Sequence, residues 1–327
     1  MEKAHLFIIN PKSFWNTWKQ EEVLDKIHGF FLNNHADYTV HISRFPRDAV
    51  GFIPLFAKEL PENTSLRVYA VGGDGILFDC LNGIMGLKNA ELAAMPYGHT
   101  NNFIRGFGKN SKSAFRNIAQ QCNASAIPMD VMRCGNNYAL SYCVVGIEAE
   151  VVRIAEKIRE FMYNRKTFIQ WLCRRLYKLF YYFSAFISCM KKKFLDQRYE
   201  ITIDGTSDSD VYLGLAIFNA PYYGGNLHPV STAMPNDGVL EMLNIRGRGF
   251  WRTYSLLPFY VSGRRRLFPK NFIHNQGQKI SVCSMNPLRI SMDDVVFFEQ
   301  RLEIELQPGA VQFVDAGNRG YMGAQHG

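Results

Sequence analysis

The tightest constraint on this chain is the stretch Val68-Tyr69-Ala70-Val71-Gly72-Gly73-Asp74-Gly75-Ile76-Leu77-Phe78-Asp79-Cys80-Leu81-Asn82-Gly83. A β-branched and aromatic run stops at Gly-Gly-Asp-Gly and a helix-capable segment begins at once, so strand, tight turn and helix are expected in succession. Such a turn gathers bare backbone N–H groups and a helix N-terminus at one point, which favours an anion such as phosphate. Adjacent glycines let the backbone come close to a ligand with no Cβ in the way. The Asp74 carboxylate would repel phosphate unless a cation lay between them. The combination points to a Mg-nucleotide site, although the same four residues also read as an ordinary turn.

At 327 residues, with 47% apolar and 14% aromatic residues, the chain is long and apolar enough for two domains and a substantial core. Its seven cysteines include no CxxC pair, so neither a disulfide framework nor a zinc pattern is expected, and a reducing, cytosolic setting is the simplest reading. Met1-Glu2-Lys3-Ala4-His5 runs straight into a strand-like segment, unlike a signal peptide. The notable uncharged apolar run Leu179 to Met190 falls short of the roughly 18–20 residues that span a bilayer. The net charge of +8 is local: residues 151–200 hold twelve Lys/Arg against four Asp/Glu, and residues 246–270 hold seven Lys/Arg and no acid. Such patches point to an anionic surface or a phosphorylated ligand.

The first 127 residues alternate strand and helix, which argues a parallel sheet with helices on its faces. Strands are expected at Leu6–Ile9, Tyr38–Ile42, Leu66–Val71 and Leu92–Met95, and helices at 19–34, Phe45–Leu60 and Ala114–Gln121. Asn10-Pro11-Lys12-Ser13 follows the first strand, where open α/β sheets bind ligands, and also reads as a Pro-containing turn. Pro96-Tyr97-Gly98-His99-Thr100-Asn101-Asn102-Phe103-Ile104-Arg105 combines a Gly hinge, hydroxyl and amide donors and an Arg; a helix cap by Thr100 or Asn101 is the plainer reading.

From Pro128 onward strands multiply: Tyr138–Val145, Tyr199–Ile203, Val211–Phe218, Val239–Ile245, Lys279–Cys283, Leu288–Met292 and Leu302–Leu306, with Asp204-Gly205 marking a hairpin. The expected architecture is α/β plus β: a Rossmann-like nucleotide-binding domain, residues 1–127, then a β-sandwich or barrel, residues 128–308. A helical region, about Ile154 to Phe194, interrupts the second part. There Phe168, Leu172, Leu176, Leu179, Phe183, Ile187 and Met190 recur at helical spacing, while Arg174, Arg175, Lys178 and Lys191-Lys192-Lys193 fall elsewhere. This is a helix or helix pair packed on the sandwich, or an element lying in a membrane interface, with Phe250, Trp251, Arg252 and Arg264-Arg265-Arg266 widening the same surface.

Together these motifs resemble the diacylglycerol kinase catalytic family, especially its soluble bacterial lipid kinases, over nearly the whole chain. Asn10-Pro11-Lys12-Ser13 is similar to the family's NPxSG loop and Gly72-Gly73-Asp74-Gly75 to its GGDG signature, followed by Asn82-Gly83. Pro96 through Arg105 resembles PxGTxNDFAR, and Asp130 the Asp that opens the second domain. Asn219-Ala220-Pro221-Tyr222-Tyr223-Gly224-Gly225, Pro229 and Asn236-Asp237-Gly238-Val239-Leu240 resemble the N…GGG…P…DGxL series.

The resemblance implies a cleft between two domains as active site, and a last strand, Gln312–Val314 (within about 309–320), returning to the first domain. It implies ATP and Mg²⁺ as cofactors. Asn10, Pro11, Lys12, Ser13, Ser43, Gly72, Gly73, Asp74, Gly75, Ile76, Gly98, His99, Thr100 and Asn101 would meet the nucleotide. Asp74 and Asp130 would help hold catalytic Mg²⁺. Asp237 with the carbonyls of Met234 and Val239 fits a structural Mg²⁺ loop, oxygen-only ligation that suits a hard cation. Departures stand beside these matches: Phe14 for Gly, Ile76 for Thr, Asp79 for Glu, His99 for Thr, and Asn102 for the metal-linked Asp. The family's late Asp-Gly-Glu is here Asp293-Asp294-Val295, which keeps the Asp and loses the Glu.

The expected activity is transfer of the ATP γ-phosphoryl group to a lipid hydroxyl, diacylglycerol-like, with Asp293 as general base and Asp294 as its understudy. A catalytically impaired relative that binds nucleotide or membrane is the alternative, motivated by Ile76, Asn102 and Val295. NAD kinases share GGDG and rank below both. The expected partners are a lipid presented at a membrane surface and a possible second copy in a homodimer, with no nucleic acid; the expected location is cytoplasmic and peripheral to the membrane.

Overall fold

In the computed structural model, residues 3–14, 17–98, 100–163, 177–190, 197–224, 227–246, 250–293 and 295–324 are described. Four parallel strands build the first part: β1 (Lys3–Ile9), β2 (Thr39–Ile42), β3 (Ser65–Gly72) and β4 (Ala90–Pro96), in the order β4-β3-β1-β2. Their registers align the carboxyl ends, Ile9 pairing with both Ile42 and Val71, and Gly72 with Pro96. Loops bearing Asn10, Ser43, Gly72 and Tyr97 therefore leave the sheet along one edge. Helices α1 (Thr17–Asn33), α2 (Asp48–Lys58) and α3 (Asp74–Ile84) connect the strands. Leu6, Ile8, Val68, Ala70, Leu81 and Phe313 pack in one core and Phe7, Ile9, Tyr69, Val71, Ile27 and Phe31 in another. Alternate residues of β1 and β3 thus enter opposite cores, as a sheet covered on both faces requires. Burial of each large side chain contributes about 1.5–3 kcal/mol.

The helix expected over Ala114–Gln121 is instead two, α5 (Ser111–Arg116) and α6 (Ile118–Asn123), after the short α4 (Asn102–Arg105). Asn117 breaks it: its backbone is extended and its side chain accepts the N–H of Gln120, capping α6. The buried Arg67 fixes α6 to β3, donating to the carbonyls of Gln121, Cys122 and Ala124 and to Glu91.

The remaining strands are antiparallel apart from one stretch. They are β5 (Ala126–Cys134), β6 (Asn137–Ala139), β7 (Tyr142–Gly146), β8 (Arg198–Ile203), β9 (Thr206–Val211), β10 (Gly214–Phe218), β11 (Leu240–Ile245), β12 (Phe272–Gly277), β13 (Lys279–Met292) and β14 (Val295–Val314). β9 and β10 replace the single strand expected over Val211–Phe218, and Asp204-Gly205 does turn the β8–β9 hairpin, both residues at positive φ. The 20-residue β14 joins the two halves. It pairs antiparallel with β13 and β5, then runs parallel to β4 through Gln312 and Phe313. The result is an α/β and β architecture, Rossmann-like parallel strands followed by antiparallel ones.

Helices α7 (Ile147–Tyr163), α8 (Tyr177–Cys189) and α9 (Phe250–Val261) cover one face of the antiparallel strands. Tyr142, Val144, Ala216 and Phe218 face them, while Cys143, Val145, Leu215 and Ile217 face the core between strands. Phe168, Leu172, Leu176, Arg174, Arg175 and Lys191–Lys193 lie outside the described residues. Among the described residues no helix is long and apolar enough to cross a membrane.

Candidate active site

The turn after β3 and the loop after β4 are in backbone contact. The Gly72 carbonyl accepts the N–H groups of Tyr97 and Gly98 at 2.9 and 2.8 Å. A Cβ on Gly72 would meet Ser13 Oγ at 2.7 Å and Ile76 Cγ2 at 2.8 Å. The glycines are therefore needed to bring three loops together, beyond any role with a ligand. Helix α3 starts at Asp74, with the N–H of Leu77 as its first bond, to the Gly73 carbonyl. The first-turn N–H groups of Asp74, Gly75 and Ile76 thus stand where an anion is held best.

Asn10, Pro11, Lys12 and Ser13 form a 3-10 turn beside this helix end, Asn10 Oδ1 accepting the Lys12 N–H at 3.0 Å. Phe14, where the family has Gly, is buried against Tyr97. On the other side Ser43 follows β2, its N–H bonded to the Ile9 carbonyl at 2.9 Å and its Oγ buried without a partner among the described residues. The Ile76 side chain is 2% exposed and packs in the core, and its backbone N–H lies in the first turn of α3. Asp79 accepts the Arg47 N–H at 3.0 Å, and Asn82 clamps β6 through Tyr138, accepting its N–H at 2.9 Å and donating to its carbonyl at 2.8 Å.

Asp74 ties the two loops. Its Oδ2 accepts the Thr100 hydroxyl at 2.7 Å and the Asn102 N–H at 3.0 Å. The second bond is made by backbone, so Asn in place of the family's Asp preserves it. Asn101 donates to the Gly98 carbonyl at 2.7 Å from a left-handed backbone, and Arg105 Nε to the Thr100 carbonyl at 3.0 Å. His99 lies outside the described residues.

Asp293 comes to the same centre from the β13–β14 turn, between the paired residues Met292 and Val295. Both its oxygens are held by backbone: the N–H groups of Leu140, Ser141 and Tyr142 donate at 2.8, 3.1 and 3.0 Å. Asn219 supports that loop through the carbonyls of Leu140 and Asp130. Burial drives the Asp293 pKa up to about 7 against the opposing pull of those N–H groups, and the Asp74 charge raises it further. Asp294 lies outside the described residues.

Asp130 sits with a different group of residues. Its oxygens accept the N–H of Gly238 and of Gly309, each at 2.8 Å, and its own N–H bonds the Pro235 carbonyl. It thereby anchors the Met234–Val239 loop to β14. In that loop Asp237 Oδ1 accepts the Val239 N–H at 3.0 Å, and burial, then Glu241 and Asp130, raise its pKa. Among the described residues no three His, Cys, Asp or Glu side chains converge as a metal cluster. What fits a hard cation is chemical: the Asp74 carboxylate, at the Gly72–Gly75 turn, raises the proton affinity of the buried Asp293, a charge that a cation between them would relieve.

One residue of this centre has no signal in the local sequence. Tyr321, after the last strand, lies over Gly106, where a Cβ would come 2.0 Å from its Cζ. Its ring packs on Phe103 and Phe107, and the Met322 N–H bonds the Gly106 carbonyl at 2.8 Å. Its hydroxyl is buried without a hydrogen-bond partner among the described residues, and its pKa is raised by burial first, then by Tyr222, Asp293 and Asp74. A bare Gly at position 106 is the available hint, legible only once its partner is known.

The Gly72–Gly75 turn and the buried carboxylates of Asp74 and Asp293 therefore belong to one centre. Residues 4–134 match the sequence profile of the diacylglycerol kinase catalytic domain. A protein of Staphylococcus aureus (strain JH9) named "Putative lipid kinase" is 23% identical over 253 residues, 76% of each chain, and its counterpart in strain N315 matches equally. A crystal structure of "a putative diacylglycerol kinase" from Bacillus anthracis str. Sterne superimposes with a TM-score of 0.71 at 22% identity, covering 97% of this chain and 96% of that one. A second, from the same organism, reaches 0.65 at 18% identity. These structures share the fold.

Proposed function

We propose that this protein is an ATP- and Mg²⁺-dependent lipid kinase, transferring the γ-phosphoryl group to a lipid hydroxyl between the parallel and antiparallel halves. The observation that carries the reading is that Asp74, at the Gly72–Gly75 turn, lies near enough to Asp293, delivered from the far half, for its charge to raise the Asp293 pKa. The first-turn N–H groups of α3 bind phosphate oxygens, and Asn10, Ser13 and Ser43 flank them. Asp74 holds Mg²⁺, whose contribution when bound is to neutralise charge on the transferring phosphoryl group. Asp130, with Asp237 and the Met234 and Val239 carbonyls, belongs to a second cation loop. Asp293, with a pKa of about 7, takes the proton of the attacking hydroxyl. We also place the protein in the cytoplasm, in peripheral contact with a membrane through exposed Trp251, Phe183 and Met190.

The test is incubation of the purified protein with γ-labelled ATP, Mg²⁺ and a panel of diacylglycerol, monoacylglycerol and sphingoid lipids. Label in one lipid, dependent on Mg²⁺, is expected; ATP binding with no labelled lipid would leave the nucleotide-binding module as the function.

A further inference from the structure

Helix α3 turns one face to the antiparallel half. Gly75, Phe78 and Asn82 share that face, at steps of three and then four residues. Asn82 is bonded to Tyr138 of β6. Phe78 is buried in the core that the antiparallel strands build, a core that also holds Met292, the residue before Asp293. Gly75 is exposed, and a Cβ placed on it would meet nothing within 4 Å. The face thus runs from packed core to open space as it reaches the Gly72–Gly75 turn.

Arg47 stands on that boundary. Its guanidinium carbon lies 5.5 Å from the centre of the Phe78 ring, a cation–π distance. Helical side chains lean toward the N-terminus of their helix, which carries the Phe78 ring and the cation over it toward Gly75. The backbone fixes this placement. Arg47 precedes α2 at φ 65° and ψ 14°, a left-handed conformation uncommon for so large a residue and typical of ligand clamps. Its N–H is fastened to Asp79 Oδ2 at 3.0 Å. Two carboxylates lie close by. Asp48 accepts from His41 and from the Arg44 N–H, at 2.9 Å each, while Asp79 attracts the Arg47 guanidinium. A terminal phosphate brings more charge and more acceptor oxygens than the single Asp79 carboxylate, and competes with it for the guanidinium.

We propose that Arg47 binds the terminal phosphate of the donor nucleotide, so that the site tells a nucleoside triphosphate from a diphosphate. The proposal rests on the nucleotide reading of the Gly72–Gly75 turn. Under that reading the phosphoryl group in transit lies between the turn and Asp293, across the junction of the two halves, and Arg47 is a cation held at that junction. Its planar fork matches phosphate oxygens and offsets their charge during transfer.

The test is calorimetric titration of Mg-ADP and of a non-hydrolysable Mg-ATP analogue into wild type, Arg47→Gln, Arg47→Lys and Arg47→Gly, with a thermal melt of each. Arg47→Gln should weaken the analogue about tenfold or more and Mg-ADP by less than about threefold. A merely structural role would move both alike. Arg47→Lys keeps the charge without the fork and should fall between Arg47→Gln and wild type. Glycine suits the left-handed backbone, so Arg47→Gly should fold and repeat the selective loss seen in Arg47→Gln. Equal losses for the two nucleotides, or no loss in folded Arg47→Gln and Arg47→Gly, overturn the role of Arg47 and leave the nucleotide site standing. Wild-type protein that binds neither nucleotide overturns the nucleotide reading, and the proposal with it.

Discussion

Gly73 and Gly98 meet backbone to backbone: a Cβ placed on Gly98 would lie 2.2 Å from the Gly73 Cα and 2.8 Å from its nitrogen. No side chain can bend away to relieve such a contact. Gly98→Ala must therefore part the phosphate turn from the Thr100 loop, at a cost of about 1–3 kcal/mol. Calorimetry should show a lowered Tm, and titration should show Mg-ATP affinity reduced about tenfold or more. A wild-type affinity would mean the two loops do not act as one site.

Thr100→Val keeps the volume and removes the 2.7 Å bond to Asp74. With the carboxylate buried, the expected cost is about 1–3 kcal/mol. Because the loss falls on Asp74, the Mg²⁺ dependence of nucleotide binding should shift to higher Mg²⁺ concentration. A variant with unaltered Mg²⁺ dependence would detach Asp74 from cation binding.

Glu148 offers a pH test away from the active site. It is fully buried, with the hydroxyls of Tyr223 and Tyr181 at 3.0 and 3.1 Å from Oε2 and that of Tyr260 at 2.9 Å from Tyr223. Burial raises its pKa from 4.5 to about 7, against the pull of those hydroxyls. Because the folded value lies above the unfolded one, the protonated form favours folding. That stability is complete below the unfolded pKa and is lost as pH rises through about 7. Glu148→Gln should remove this slope, so that its Tm gains on wild type between about pH 5 and about pH 8. Parallel Tm curves would show that the cluster does not titrate.

Tyr321→Phe should leave stability unchanged or raise it by about 1 kcal/mol, since the buried hydroxyl it removes has no partner among the described residues. Gly106→Ala should lower stability instead, because the added methyl meets the Tyr321 ring at 2.0 Å. Combining Gly106→Ala with Tyr321→Ala should cost less than the sum of the two, and additive costs would deny that the residues touch.

The legible parts of this molecule are those where cause and effect are neighbours in the chain. Strand, turn and helix around Gly72 follow from local periodicity and glycine, and the β8–β9 hairpin from Asp204-Gly205. Asn117 was harder, because a polar residue inside a helical pattern is a cap only if the backbone extends there. Contacts between distant residues were not legible at all. Nothing near Ile76 says that its side chain turns into the core. Nothing near Asp130 says that its oxygens take the N–H groups of Gly238 and Gly309, and nothing near Tyr321 says that it lies on Gly106. Asp293 stood out through its motif, yet the three N–H donors that hold it belong to residues 140–142.

Those donors also shape how Asp293 must be tested. Asp293→Asn turns an amide NH₂ toward backbone N–H groups, so lost activity in that variant has to be read beside its Tm. A pH–rate profile of the wild-type enzyme avoids this, and as a base Asp293 predicts a kcat that rises through about pH 7 and then levels.

The most direct measurement is Mg²⁺-dependent transfer of labelled γ-phosphate to hydroxyl-bearing lipids, neutral and acidic, by wild type and by Asp74→Asn in parallel. The account predicts a labelled phospholipid from wild type and a fall of about 100-fold or more in the variant, with the variant still folded. Transfer by Asp74→Asn at the wild-type rate, or no transfer by either protein, would contradict it.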